Sequence, residues 1–280
     1  MKEKKTNIKI EKQLHTTTSR KKPVFRLFGK ILKPFYRTRF ESETRVLPDK
    51  AIIVSIHSAK AGPMAISLGY PKFHAIWGHH AMLGSYKERF RYLKDVLYIQ
   101  KMHKSRLSAT LKATYEAAFS KMIYKGMRII GTYTDMRFLG CIRNSIEFLD
   151  SGASVVVFPE DSSEGYFDEV RSAFTGFVIL ADMYYRERGE DVPIIPMYVA
   201  PKKHRLILGS PRYAREMELA GASRQQIADS LAQDINELYR KYISTGSEVP
   251  TVTEDAPVRD KKYYGEAPAS AEGENEDNIK

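Results

Sequence analysis

Residues 51–57 read AIIVSIH and residues 154–163 read SVVVFPEDSS. Each is a short, unbroken apolar run, rich in β-branched residues, that ends abruptly in polar ones. A run of that length predicts a strand buried on both faces, as in a parallel sheet. Residues 128–133 and 194–199 read the same way, and 74–77 and 205–208 are weaker versions of the pattern. Between these runs the apolar spacing turns helical, over about 104–125, 139–151 and 171–188. Ser223 is placed to cap a further helix whose apolar stripe is Ile227, Leu231, Ile235, Leu238 and Tyr242. Strand and helix in alternation predict an α/β fold: a mostly parallel central sheet flanked by helices.

The ends of the chain read differently. Residues 1–20 are charged and aperiodic, which predicts a disordered tail. Residues 21–40 contain PVFRLFGKILKPFYR, with Phe25, Phe28, Ile31 and Leu32 on one helical face and Arg26, Lys30 and Lys33 on another. That pattern fits a basic amphipathic helix lying in a membrane interface, or equally a helix packed on the core. One α/β domain is expected over 41–244, followed by a disordered acidic tail over 245–280 that ends EGENEDNIK.

Composition narrows the partners. The 280 residues, 42% of them hydrophobic, suffice for one substantial core. The single cysteine, Cys141, allows no internal disulfide and reads as a buried small hydrophobe. A net charge of +11 favours anionic partners. Nucleic acid is not expected, because no base-stacking or recognition motif accompanies the charge. No run reaches the ~18 apolar residues of a bilayer span, and the first twenty residues lack a secretory pattern. The expected location is cytoplasmic, peripheral to the inner face of the cell membrane, against anionic lipid.

Three places carry chemistry. His57 directly follows a buried strand, and ligands of parallel sheets bind beyond the carboxyl ends of strands. A histidine there can act as a general base, or simply cap a turn. In the second place, Pro159 ends a strand and Glu160, Asp161, Ser162 and Ser163 follow. Such a loop can meet an anion with hydroxyls and N–H groups, or serve as a strand-to-helix turn with capping acids. The third is DVPIIPMYV over 191–199, whose two prolines suit an edge or terminal strand. There is no zinc signature, Gly-rich nucleotide loop or Ser nucleophile elbow, and no metal or cofactor is expected.

In order and spacing these blocks resemble the superfamily of lysophosphatidate and glycerol-3-phosphate acyltransferases. Its members carry His-x-x-x-x-Asp after a strand, then a segment ending in Arg, then Phe-Pro-Glu-Gly-Thr-Arg, then a Pro-rich strand. His57 takes the first histidine, Arg137 ends GTYTDMR, Phe158-Pro159-Glu160 match literally, and Pro193 and Pro196 fit the last block. Gly176 and Ala181 are also similar, and the likeness covers about residues 50–210. It implies a glycerol-3-phosphate acyltransferase-like fold, with His57 as catalytic base moving an acyl group from acyl-CoA or acyl carrier protein to a lipid-like hydroxyl. It implies a substrate-binding set of Lys60, Arg137, Glu160, Asp161, Ser162, Ser163 and Arg171. The chain departs from the pattern at Gly62, where the family has Asp, and at Asp161-Ser162-Ser163, where it has Gly-Thr-Arg. Asp135, Asp161 or a backbone carbonyl could replace the missing acid. Lys60, Arg143 or Arg171 could replace the missing cation. Without that cation, lysophosphatidate and glycerol-3-phosphate would be poor acceptors. The alternative from another class is a catalytically silent lipid- or acyl-carrier-binding protein with the same fold.

Overall fold

The computed structural model describes residues 29–32, 34, 36, 38–58 and 61–250. Seven strands form one sheet: β1 (Arg39–Ser42), β2 (Ile52–Ser55), β3 (His74–His79), β4 (Ile129–Thr132), β5 (Ser154–Val157), β6 (Ile194–Ala200) and β7 (Arg205–Leu208). Their spatial order is β1-β7-β6-β2-β5-β3-β4. The run from β6 to β4 is parallel, β7 is antiparallel to β6, and β1 is parallel to β7. The two apolar runs that predicted the fold, β2 and β5, are neighbours at the centre, buried along their whole length.

Helices cover both faces. On one side, α4 (Phe138–Asp150), α5 (Gly176–Arg188), α6 (Ala214–Leu219) and α7 (Arg224–Leu238) touch one another and the sheet. Ser223 caps α7 by accepting from the Gln226 N–H, and the stripe from Ile227 to Tyr242 is buried as read from its spacing. Gly176 opens α5 where a Cβ would press on the rings of Trp77 and Phe138, and Ala181 is buried in the same layer. On the other side lie α1 (Ala61–Gly69), α2 (Tyr86–Arg91) with its wider π-helical continuation Tyr92–Lys101, and α3 (Arg106–Gly126). Cys141 is buried in α4, and burial pushes its thiol up to about 12. No helix among the described residues is long and apolar enough to cross a membrane.

Several boundaries differ from expectation. Within 21–40, residues 29–32 form a helical turn, but Arg39 and Phe40 belong to β1 rather than to a helix. Residues 21–28, 33, 35 and 37 of that span, the tail over 1–20 and residues 251–280 lie outside the described residues. Residues 245–250 are placed on the domain instead of starting a tail. Arg205 donates to the Ser247 carbonyl, and Val249 packs on the core. Helix α1 begins at Ala61, and Pro63 in its first turn costs no hydrogen bond. Helix α5 starts later than 171 because the chain first folds back on itself, bridging Glu160 to Ala173. Strand β6 is interior, between β2 and β7, not an edge. Pro196 is tolerated there because it faces Gly209, one residue past the end of β7. Gly209 donates its N–H to the Pro196 carbonyl at 2.8 Å, and a Cβ on Gly209 would sit 2.9 Å from the proline ring.

Candidate functional site

Register builds the centre of the site. Strands β2 and β5 pair Val54 with Val157, and three residues beyond each lie His57 and Glu160. The His57 N–H donates to Oε1 of Glu160 at 2.8 Å, joining residues 103 apart in sequence. The His57 ring is held between Phe158, 4.6 Å between centroids, and Tyr166, 5.2 Å and stacked. Burial pushes the Glu160 carboxyl up to about 7, against the pull of the His57 N–H and the charge of Lys101.

Lys101 was not among the residues singled out from sequence. It ends the π-helical continuation of α2, and its Nζ donates to Oγ of Ser162 at 2.6 Å, 5.8 Å from the Tyr166 ring centre. Burial lowers its pKa, while Glu160 and Asp161 pull it back up. The loop that follows β5 therefore has a cation beside it, one not among the replacements read from the sequence. No local signal marks Lys101, one of 45 basic residues; only the fold brings it 61 residues across to Ser162.

The other expected residues fall into place unevenly. Asp161 turns into its own loop, accepting from the Ser163 N–H at 3.0 Å, which holds it below the usual carboxylate range. The acid thus ties a turn within the loop and caps no helix, since the next one starts only at Gly176, and Asp161 and Ser163 stay exposed. Arg171 stacks 3.4 Å above the Phe167 ring with Glu164 4.0 Å away. It lies opposite Ser162 on the returning arm that bridges Glu160 to Ala173. Arg137 grips Asp135 at 2.6 Å and lies over Tyr133. It stands beyond β4, three strands from β2, or roughly 14 Å by strand spacing. The structure thus does not bring Arg137 to His57. Asp135 and Asp161, two candidates for the missing motif acid, are both committed elsewhere. Arg143 is exposed on α4, and Lys60 lies outside the described residues.

Gly62 closes the motif position. A Cβ there would sit 2.0 Å from the His57 carbonyl oxygen and 3.3 Å from Cγ1 of Val199. No side chain, and so no aspartate, fits this backbone. The start of α1 presses against His57, whose ring Phe158 and Tyr166 pack against.

Beyond β3 and β4 the same sheet edge carries a second group that the sequence reading passed over. His79 stacks on Tyr92 at 4.2 Å and on His80 at 4.4 Å, and His80 stacks on Tyr133 at 4.5 Å. Burial pushes His79 down to about 4, helped by His80 and Lys101. The doublet His79-His80 at the end of a weak strand was a readable signal.

No family model and no curated protein matches the chain. The site's chemistry therefore rests on its own geometry. An imidazole at a strand end can accept a proton, a carboxyl titrating near 7 can hold one, and a half-buried ammonium can neutralise an anion. Among the described residues no three His, Cys, Asp or Glu side chains gather as a metal-binding group would require. A cavity of about 200 Å³ lies at the opposite end of the strands, by Pro196 and Gly209. Four of its five charged residues are paired, Arg212 with Asp234 and Lys241 with Glu43, and it takes no part in this site.

Proposed function

We propose that this protein is an acyltransferase with a glycerol-3-phosphate acyltransferase-like fold. It moves an acyl group from a thioester of coenzyme A or acyl carrier protein to a lipid-like hydroxyl. It works from the cytoplasmic side, peripherally on anionic membrane. One observation carries the reading: His57 and Glu160 are joined across the carboxyl ends of adjacent central strands, with Lys101 reaching Ser162 on the loop beside them.

In this mechanism His57 accepts the proton of the acceptor hydroxyl as its oxygen attacks the thioester carbonyl. The C–S bond then breaks, and the imidazolium returns the proton to the leaving thiolate. Lys101, with Ser162, faces an anionic group of donor or acceptor, so phosphate-bearing acceptors such as lysophosphatidate are admitted rather than disfavoured. Phe158 and Tyr166 hold the ring that an aspartate holds in the family pattern.

Gly62 favours a second reading, a silent lipid- or acyl-carrier-binding protein, because the position where the family pattern has its motif aspartate has no room for one. Purified protein incubated with mixed acyl thioesters and a lipid extract separates the two. Acyl transfer predicts acceptors that gain the acyl mass, with one thiol released per product. Thioester binding with neither product nor thiol would establish the silent reading.

A further inference from the structure

Helix α3 is built inside out. Its buried face is small: Ala109, Ala113 and Ala117 are fully buried, and Ser120 nearly so. Its large apolar residues point the other way. Leu107, Leu111, Tyr115 and Phe119 are between 48% and 73% exposed, and Met122 continues the row. At 3.6 residues per turn these five share one face, opposite the alanines, in a stripe about 22 Å long. Four or five large apolar side chains in one exposed row exceed what a solvated helix carries by chance.

The charges beside the stripe say what covers it. Around the wheel Lys112 borders one side and Lys121 and Lys125 the other, with Lys104 and Arg106 at the helix start. Glu116 is the lone acid from 104 to 126. A second copy seated on this face would bring like cations together. An apolar row flanked by lysines is instead complementary to a bilayer, with acyl chains under the row and anionic headgroups under the cations.

We propose that α3 is the face by which the protein seats on anionic membrane. The inference deepens the membrane-surface part of the proposed function and rests on that part, not on the acyl-transfer chemistry. Placement supports it twice. Helix α3 begins five residues after Lys101, which reaches Ser162 in the site, so the start of the stripe is tied by a short connection to a residue of the site. At the other end of α3, Ile123 packs in one cluster with Leu32 and Tyr36, so the N-terminal segment joins the domain there, with Ile31 exposed beside it.

The test is co-sedimentation of the full chain with vesicles of phosphatidylcholine, with and without phosphatidylglycerol. Binding should need the anionic lipid and weaken with salt. The double variant Leu111→Gln, Phe119→Gln should lose at least about tenfold in vesicle affinity. It should keep wild-type thiol release with detergent-dispersed substrates, which separates a docking failure from a failure of the chemistry. A parallel variant, Phe25→Ser with Phe28→Ser, probes the N-terminal segment. Three results would overturn the proposal: undiminished binding by the α3 variant, release by the N-terminal variant alone, or a concentration-dependent dimer that only the α3 variant abolishes.

Discussion

The carboxyl edge of the sheet has two halves built by the same rule and finished differently. At β2 and β5, adjacent strands in register deliver His57 and Glu160 to one another, and burial raises the Glu160 carboxyl to about 7 despite the His57 N–H and Lys101. At β3 and β4, register pairs His79 with Thr132, but the charges that follow cancel locally. Asp135 is held down to about 2 by the Arg137 beside it, and both are solvent-exposed. The difference teaches where reactivity can reside. Strand ends alone supply position; a strained charge state marks the groups that can react, Glu160 in the first half and His79 in the second, while the Asp135–Arg137 pair beside β4 is spent on itself. The ring stack from Tyr133 through His80 and His79 to Tyr92 is the structural seam between the halves.

The largest effect that would sharpen this contrast is at Gly62. Restoring the family's acid, Gly62→Asp, should cost at least about 3 kcal/mol of stability, because the new Cβ meets the His57 carbonyl. A chemical-denaturation curve checks it, and a stable, more active variant would show that the first half has room for the motif acid. Next comes Glu160. Its folded value of about 7 lies above the ordinary 4.5, so its contribution to stability is full below pH 4.5 and is lost as pH rises through about 7. Glu160→Gln should therefore be more stable than the natural chain by about 1–3 kcal/mol at pH 8, with the gap closing below pH 4.5. Urea melts at the two pH values measure this, and a pH-independent gap would place Glu160 with the compensated half. The smallest effects compare the halves directly. Lys101→Met should lower initial rates about tenfold or more with phosphate-bearing acceptors. Arg137→Ala should change them by less than about threefold, since that charge is already answered by Asp135. The reverse ranking would move the anion site to β4.

How much of this was legible in the sequence depends on range. Strands β2, β5 and β6 were readable as strands because a short apolar run has one stable place, the middle of a covered sheet. Helix α7 was readable down to its cap and stripe. Helix α3 was readable as a helix but not as to which face is buried. Periodicity finds a stripe and assumes it is inward, and here the alanine face won because it lets α3 approach closely. Strand β1 escaped because Arg39–Ser42 is mostly polar and exists only through pairing with β7, where buried Glu41 holds Arg205 at 2.7 Å. In the site, His57 and Glu160 stood out as strand-end residues. Lys101 and Tyr166 did not, since their roles arise from contacts between segments far apart in the chain. The Gly62 departure was visible in the sequence, but its cause, a backbone with no space for a Cβ, is a property of the folded chain.

The most direct measurement is the initial rate of acyl transfer by His57→Ala, with circular dichroism confirming that the variant is folded. The account predicts a loss of at least about 10²-fold with thioester binding retained, because the base is gone and the donor's contacts are not. A folded His57→Ala protein that transfers acyl groups within about threefold of the natural rate would contradict it.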